Sequence, residues 1–306
     1  MLDPKVHILR FSGSFEAPFE LLMAEIMTLP ALTMPITMEC AGNGRAGVSP
    51  RSHSMPWMYE AVGTSEWTGT KLAPLIEKAC PKDGVVEISF MGADYGYDMG
   101  KSHFFGRSLT LNQIKELDVL LVYAMNGSPL LPQHGSPLRI IVPGWYGMGN
   151  VKWLTDIKAL TEPYNGYQQV KTYRFKAHKD DPGIPIQTIR VKSLMVPPGV
   201  PDWSTRKRFV SAGKVDLVGR AWSGDGSPIV KVEVAVADEW RNAKLFEKKD
   251  RYAWQKWTFS WQAEPGEYNL RCRASDVNGN IQPLDPPWDQ AGFANNAAQR
   301  VHVFVG

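Results

Sequence analysis

Apolar residues in the first half of the chain recur with both helical and strand spacing. The runs 19–29 and 70–80 place apolar residues three and four positions apart, which predicts helices, and a third helix is predicted over 111–117. Apolar, β-branched runs over 85–91 and 138–142 predict short strands. Because these elements interleave irregularly between glycine-rich loops, this half of the chain predicts an α+β domain.

The pattern changes after about residue 175. A proline-rich, polar segment over 176–208 leads into strands with period-two alternation at 229–236 (Ile229 aside), 257–261 and 268–274. Glycine- and proline-containing turns separate these strands, and one apolar face per strand is typical of an antiparallel β-sandwich of the immunoglobulin type. The predicted domains are residues 1–174 and 175–306.

Composition and charge limit the kinds of partner that this chain is expected to bind. The 306 residues include 34 basic and 31 acidic ones, a net charge of +3 that is too balanced to indicate nucleic acid. No apolar run reaches the roughly 20 residues of a membrane span, so no membrane partner is expected. No secretory signal is visible, which predicts a cytoplasmic protein as written, or a periplasmic one if an export signal has been removed. Three cysteines give no disulfide framework, and Cys272 falls on the inward phase of its strand, which predicts a buried thiol.

A glycine-rich loop around Cys40 is the first candidate for chemistry. It reads Glu-Cys-Ala-Gly-Asn-Gly-Arg over 39–45 and follows a strand-like segment. Its glycines let the backbone approach a bulky ligand closely. Arg45 and Arg51 place positive charge nearby, which favours the thiolate form that a soft metal requires. The alternative is a structural cysteine at the end of a strand.

A second candidate segment lies about 100 residues further on. His134, Arg139 and Lys152 surround a predicted strand and a turn with the sequence Val-Pro-Gly-Trp-Tyr-Gly. Together they offer cationic donors to a phosphate, and the glycine-containing backbone adds N–H groups. Each one taken singly is compatible with a solvated surface charge. As a set on Pro/Gly-rich loops, they indicate a bound anionic cofactor.

These motifs resemble those of the sulfite oxidase family, which carries a C-A-G-N-x-R loop, an H-G-x-P-L-R…V-P-G…V-K-W-L segment and an immunoglobulin-like dimerisation domain. The resemblance implies a sulfite-oxidase-type mixed α/β cofactor domain, a homodimer and a molybdenum atom held by a pyranopterin dithiolene (molybdopterin). It implies that Cys40 is the metal ligand and that His134, Arg139 and Lys152 hold the pterin and its phosphate. Asp94 falls where the family has another cofactor-contacting loop, although an ordinary turn aspartate is equally compatible with the sequence.

The resemblance also implies a substrate pocket. Arg45 matches the arginine that closes the cysteine motif, Trp57 the pocket tryptophan, and Tyr173 the active-site tyrosine near the end of the cofactor domain. Arginine offers a planar fork to a small anionic substrate such as sulfite, and tyrosine can donate a hydrogen bond to its oxygen. Trp67, close to the pocket tryptophan in sequence, is expected in the core instead.

Three departures from the family pattern bear on the substrate. An upstream R-N-H segment has no match, since the N-terminal stretch reads His7-Ile8-Leu9-Arg10. Gly44 stands where sulfite oxidases often have an arginine. Gln290 and Ala291 stand near the place of a pocket arginine that precedes the family's C-terminal N-A-W-H-R-V motif.

The expected activity is oxidation of sulfite or a related sulfur compound with water as oxygen donor. No haem is expected in this chain, because no Cys-x-x-Cys-His motif is present, so the electron acceptor would be external, such as a cytochrome c. The alternatives are a sulfane-type dehydrogenase or an oxo-transferring reductase of the same fold. A degenerate family member without catalysis, acting as a binding module, also stays open.

Overall fold

The structure is a computed structural model that describes residues 2–52, 54–98, 100–286 and 288–306. Its contacts divide the chain into two units. The first unit comprises Met1–Ala41 and Ser65–Gln187, and the second comprises Gly42–Thr64 and Thr188–Gly306. The sequence-based boundary after residue 174 stays a prediction. In the structure, the chain continues within the first unit to Gln187, because Arg174 pairs with Pro185 in a short hairpin.

The secondary structure is rich in strands. The α-helices are α1 (Met23–Ile26), α2 (Ala73–Ala79), α3 (Leu111–Glu116) and α4 (Tyr167–Val170). Short 3₁₀ turns occupy Arg45–Gly47, Pro132–His134 and Gly147–Gly149. The earlier strands are β1 (Ile8–Gly13), β2 (Phe19–Leu22), β3 (Ala31–Glu39), β4 (Val62–Lys71), β5 (Glu87–Asp98), β6 (Lys101–Thr110), β7 (Leu120–Met125), β8 (Ser128–Pro129), β9 (Arg139–Ile141), β10 (Leu154–Leu160), β11 (Arg174–Phe175) and β12 (Ile184–Pro185). The later strands are β13 (Lys192–Val196), β14 (Val200–Pro201), β15 (Arg208–Val210), β16 (Gly213–Trp222), β17 (Ile229–Val236), β18 (Glu239–Asn242), β19 (Lys244–Leu245), β20 (Gln255–Ala263), β21 (Gly266–Asp276) and β22 (Gln299–Val305).

The helix predicted over 19–29 is only partly correct. Phe19–Leu22 forms β2 instead, since it pairs antiparallel with β1 from Ile8↔Leu22 to Phe11↔Phe19, and only the following four residues are helical. Tertiary pairing overrides the helical spacing there. The other two helix predictions are confirmed as α2 and α3. Helix α3 begins at Thr110, whose hydroxyl accepts from the Gln113 amide in a capping box.

Two larger sheets form the first unit, besides the β11–β12 hairpin. Five strands run in the order β2-β1-β10-β5-β6, with β1 parallel to β10 and the other pairs antiparallel. The other sheet has the order β3-β4-β7-β8, and β9 pairs with β7. Apolar side chains from both sheets and from α1–α3, among them Leu9, Phe90, Leu121 and Ile140, form one buried core. Cys40 and Lys152 lie on loops that leave this core, whereas Asp94 and Arg139 lie on the strands β5 and β9.

The second unit is the predicted β-sandwich. Its sheets have the orders β13-β16-β20-β19 and β14-β15-β22-β21-β17-β18, antiparallel except for the pair β15–β22. Their inward residues, including Trp257 and Val303, share one core. Cys272 is fully buried in it, as predicted, and burial raises the pKa of its thiol to about 12. No helix within the described ranges is long and apolar enough to cross a membrane.

Candidate cofactor site

A cavity of about 330 Å³ opens in the first unit where the predicted cofactor residues meet. Its walls are formed by Met38, Asp94, Phe105, Gln133, Arg139, Gly147, Asn150 and Lys152. Met38 lies near the end of β3, and the exposed Cys40 follows two residues later. Gly147 lies against the end of the same strand, since a Cβ at this glycine would be 3.4 Å from the Glu39 carbonyl oxygen. The cysteine loop therefore leaves β3 at the edge of this cavity.

Arg139 is the most deeply buried cation of the cavity. Its side chain is 5% exposed, and its guanidinium carbon lies 5.0 Å from the centre of the Trp67 ring. Nη1 donates to the His134 carbonyl at 2.9 Å and Nη2 to the Asn150 carbonyl at 3.2 Å. Burial lowers the pKa of Arg139 to about 10, so the group remains protonated at neutral pH. Its Nε atom is buried without a hydrogen-bond partner among the described residues.

Asn150 fixes the glycine-rich turn that forms another wall. Its side-chain oxygen accepts from the Val142 amide at 2.7 Å, and its amide nitrogen donates to the Tyr146 carbonyl at 3.3 Å. The side chain thus joins both ends of the Val142–Asn150 loop. Trp67, beneath Arg139, is 4% exposed, which confirms the prediction that it belongs to the core.

Lys152 and His134 flank Arg139. The Lys152 ammonium donates to the Gln133 carbonyl at 3.0 Å and lies 4.2 Å from the centre of the Trp153 ring. Burial, assisted by the nearby positive charge of Arg139, lowers the pKa of Lys152, while Asp94 opposes the shift. His134 ends the 3₁₀ turn Pro132–His134 and contributes its carbonyl to Arg139. Two cations therefore share this end of the cavity.

Asp94 lies on β5 opposite these cations. Its Oδ1 atom is buried and has no hydrogen-bond partner among the described residues, and burial raises the pKa of the carboxyl group. The close approach depends on Gly92, where a Cβ would collide with Asp94 Oδ1 and with the Lys152 carbonyl. A simple turn aspartate would have water around its carboxylate, so the burial favours a binding role.

These groups fit a molybdopterin cofactor. A pterin carries N–H donors for a carboxylate, ring acceptors for a guanidinium, and a phosphate for two cations. Asp94 Oδ1 is a buried acceptor and Arg139 Nε a buried donor, neither with a hydrogen-bond partner among the residues that the structure describes, and Arg139 and Lys152 add their positive charges. Its volume lies in the usual range for small-molecule sites. Buried polar atoms without partners are rare in proteins, and a ligand of this chemistry would satisfy both.

Comparison with known proteins decides the family. Residues 1–168 match the family model described as oxidoreductase molybdopterin binding domain, and residues 184–306 match the Mo-co oxidoreductase dimerisation domain. This chain belongs to the sulfite oxidase family. The shared domains support a molybdenum cofactor in the first unit and bear out the prediction of an α+β cofactor domain followed by a β-sandwich.

The relatives are sulfite oxidases and similar enzymes. Mitochondrial sulfite oxidase of Macaca fascicularis is 31% identical over 331 aligned residues, which cover 99% of this chain and 58% of that protein. The human mitochondrial enzyme is 30% identical with the same coverage. This chain thus spans somewhat over half the length of these relatives. Among solved structures, the sulfane dehydrogenase SoxCD from Paracoccus pantotrophus shares the fold, with a TM-score of 0.82 and 22% identity over 98% of this chain and 76% of that one.

The second half of the cysteine loop belongs to the second unit. Arg45 is 5% exposed there, and Nη1 donates to Ser54 Oγ at 3.0 Å and to the Met55 carbonyl at 3.1 Å. The Phe293 ring centre lies 4.9 Å from its guanidinium carbon. These contacts fix the orientation of Arg45. Trp57 follows on the same loop with 43% of its surface exposed. The structure does not test the substrate roles of Arg45 and Trp57, which stay predictions.

Two of the departures from the family pattern are built into the packing of the second unit. Gly44 has φ +84°, and a Cβ there would lie 3.1 Å from the Tyr59 ring and 3.3 Å from Asn295 Nδ2. The segment around Gln290 and Ala291 forms a tight turn, in which the Asp289 carboxylate accepts from the Ala291 amide at 3.0 Å and from the Phe293 amide at 2.8 Å. The altered positions are therefore structural features of this member of the family.

Tyr173 lies in the first unit, between α4 and β11. It is a non-glycine residue at φ +41°, and its carbonyl accepts from the Ile186 amide at 3.0 Å. A positive φ at a tyrosine is a strained conformation that surrounding contacts must maintain, and such residues cluster at functional sites. This observation supports the predicted role of Tyr173, which stays a prediction.

The sequence patterns missed two polar residues near the cofactor cavity. The sequence shows Asn150 only as a neighbour of Lys152. No motif indicates that its side chain joins the ends of the Val142–Asn150 loop. Arg107 is 2% exposed on β6, two residues after the cavity-lining Phe105. The sequence did contain a signal for Arg107. It is two residues from Phe105 and from the core residue Leu109, so all three lie on the same, inward face of the strand.

A larger cavity, of about 550 Å³, lies in the second unit. Trp222, Trp254, Arg220 and Arg300 are among its walls. These two arginines are engaged locally, since Arg220 donates to the Gly219 carbonyl and Arg300 pairs with Asp285. None of the predicted cofactor or substrate residues lines this cavity, so size alone does not make it the candidate site.

Proposed function

We propose that this chain oxidises sulfite or a related sulfur compound, with water as the oxygen donor and an external electron acceptor such as a cytochrome c. For sulfite, the balanced reaction converts sulfite and water into sulfate, two protons and two electrons. When bound, the molybdenum cofactor supplies the two-electron redox chemistry, while the protein binds, orients and charges the site. Relatives named sulfite oxidase at about 30% identity support this choice of substrate class.

One observation carries the proposal: the strand that leads into Cys40 ends at a cavity in which Arg139 and Asp94 each have a buried polar atom without a partner in the described part of the chain. In this proposal the Cys40 thiolate is the molybdenum ligand. Arg139 and Lys152 bind the phosphate end of the pterin with His134, and Asp94 accepts from the pterin N–H groups. Excluding water from this cavity strengthens these charged hydrogen bonds.

The residues proposed to contact substrate are Arg45, Trp57 and Tyr173. The Arg45 guanidinium is held by Ser54 and Met55, so it can present a fixed planar fork to an oxyanion. The Tyr173 hydroxyl donates a hydrogen bond to a substrate or product oxygen. Both groups are hydrogen-bond donors suited to oxygen atoms.

A second candidate is a sulfane-type dehydrogenase or an oxo-transferring reductase of the same fold. The packed Gly44 and the Asp289 turn favour it, because each occupies a place where sulfite oxidases often carry an arginine. Each lost hydrogen bond to a charged group would cost about 1.5–3 kcal/mol of oxyanion binding. A substrate with less charge than sulfite is compatible with this change.

The test is a substrate comparison on protein purified from a host that makes molybdopterin. Reduction of cytochrome c and of ferricyanide should follow addition of sulfite, with thiosulfate and an S-oxide as competing candidates. Turnover with a sulfur compound and its absence in the Cys40→Ser variant would support the proposal. A molybdenum-loaded protein that oxidises none of these compounds would contradict it and favour the reductase. A protein without molybdenum would favour a non-catalytic family member.

We also propose a homodimer formed through the second unit, as the dimerisation-domain match suggests. Val200 and Phe209 pair across β14 and β15, with 68% and 52% of their surfaces exposed. An exposed apolar pair on a short edge hairpin is suited to burial against another chain. Sedimentation equilibrium should give twice the chain mass, and Phe209→Asp should shift the protein toward monomer. A monomeric wild type would refute the proposal.

A further inference from the structure

Arg107 is a buried cation that no motif assigns. It lies on β6, 2% exposed, and belongs to the same face of the strand as Phe105, which lines the cofactor cavity. Nη1 donates to the Gln168 carbonyl at 2.6 Å, while Nε is buried without a hydrogen-bond partner among the described residues. Within the described ranges, no ion pair involves Arg107.

The surroundings of Arg107 do not neutralise its charge. Burial lowers the pKa of Arg107 to about 10, and the phenols of Tyr173 and Tyr164 are the neighbours that oppose this shift. The guanidinium is therefore still charged at neutral pH, and burial raises the pKa of the neighbouring Tyr164 phenol. A buried charge without a counter-ion is costly, and proteins seldom keep one unless a ligand or metal completes the site.

Tyr173 is held close to Arg107 by the chain segment that contains α4. The Gln169 side chain accepts from the Ser108 amide at 3.1 Å, which ties α4 to β6 next to Arg107. Gln168 adds its carbonyl to Arg107, and three residues after α4 the backbone turns at the strained Tyr173. Arginine and tyrosine are thus fixed relative to each other by backbone and side-chain contacts within one unit.

We propose that Arg107 binds the oxyanion of the substrate, with the Tyr173 hydroxyl as a second donor to the same anion. The identity of the substrate, a sulfite- or sulfonate-type group, rests on the proposed function. The binding of an anion by Arg107 does not depend on the proposed function. A guanidinium has five N–H donors, which suit two oxygens of one pyramidal or tetrahedral anion.

The test compares Arg107→Gln with the matched variant Arg10→Gln, which removes the same charge from an exposed arginine. Sulfate, the product anion, is the probe, and its affinity for the molybdenum-loaded protein is measured by calorimetry. Loss of hydrogen bonds to a charged group predicts that Arg107→Gln weakens sulfate binding by about tenfold to a hundredfold. The KM for sulfite should rise by a similar factor, with a smaller change in kcat, and Arg10→Gln should change neither.

Arg107→Lys is the second variant, in case Arg107→Gln does not fold. It keeps the charge but loses the fork, so it should weaken sulfate binding less than Arg107→Gln and still measurably. Unchanged sulfate affinity in either folded variant, with wild-type molybdenum content, would overturn the proposal. If the wild type binds sulfate through Arg107 but oxidises no sulfur compound, the anion site stands and the proposed function fails. If the molybdenum-loaded wild-type protein binds no sulfate, the proposal of an anion site is overturned.

Discussion

Arg139 and Asp94 line the same cavity, and one atom of each, Arg139 Nε and Asp94 Oδ1, is buried without a hydrogen-bond partner among the described residues. One of these atoms is a donor and the other an acceptor. Leaving either unsatisfied costs about 1–3 kcal/mol, so a ligand that satisfies both would gain affinity from a site already formed by the fold. This pair supports the proposal of a cofactor site on chemical grounds that are independent of the sequence motif.

Replacing Arg139 by glutamine should affect both the fold and the cofactor. The His134 and Asn150 carbonyls would lose their donors, so the free energy of unfolding of the cofactor-free protein should fall by about 1–3 kcal/mol. Lys152→Gln is the comparison, because its half-exposed ammonium makes one backbone contact and should change stability by less than about 1 kcal/mol. Urea unfolding and pterin content measure the two effects. Wild-type pterin content in both variants would refute the phosphate-binding role.

Cys272 should give the protein a pH dependence above pH 9. Its thiol has a pKa raised by burial from 9.0 to about 12, so between these values the unfolded chain releases a proton that the folded chain keeps. The contribution of the buried thiol to the free energy of unfolding is fully present below pH 9. It is lost as pH rises toward 12, with a slope of up to about 1.4 kcal/mol per pH unit. Urea unfolding at pH 8 and pH 10 should show a smaller decrease in Cys272→Ala than in the wild type. Equal decreases would contradict this account.

An arginine introduced at position 44 should destabilise the protein. At φ +84° and with Tyr59 at 3.1 Å from a built Cβ, Gly44→Arg should lower the free energy of unfolding by about 1–3 kcal/mol, and Gly44→Ala by at least about 1 kcal/mol. Gly63→Ala is the control, because nothing lies within 4 Å of its Cβ position and its φ is not positive. Thermal unfolding of the three variants provides the comparison. A Gly44→Arg variant as stable as the wild type would mean that Gly44 is not required by the packing.

Cys40→Ser should leave the fold intact and abolish turnover. Cys40 is exposed at the end of β3, so a serine costs little packing, but a hydroxyl does not replace a thiolate as ligand to a soft metal. Cys80→Ser is the matched control, since Cys80 is also an exposed free cysteine and lies outside the cavity. Turnover with sulfite and thermal unfolding are the measurements. Normal turnover in Cys40→Ser would contradict the assignment of Cys40 as the metal ligand.

The sequence predicted the strands of the sandwich well and the first helix poorly. The alternation over 229–236 predicts the strand β17 with its bounds and the buried Val232, Val234 and Val236, but Val230 is 55% exposed because the register shifts between Ile229 and Lys231. The run 19–29 has helical spacing, yet Phe19–Leu22 joins a strand, because the pairing with β1 involves residues whose proximity no local pattern encodes.

The candidate site shows the same division. Cys40, Arg139 and Lys152 were recognisable because the family keeps them in short motifs. Arg107 was not, since the proposal for it rests on burial without an ion pair among the described residues, which is a property of the folded neighbourhood. The burial of Asp94, which favours a ligand over an ordinary turn, likewise follows only from its packing beside Gly92.

The most direct test of the central claim is the cofactor content of the purified wild-type chain made in a host that synthesises molybdopterin. Metal analysis by mass spectrometry and fluorescence of the oxidised pterin should both give about one equivalent per chain. The paired variant Arg139→Gln/Lys152→Gln should lose most of the pterin. A folded wild-type protein that contains neither molybdenum nor pterin would contradict the assignment of this cavity as a cofactor site.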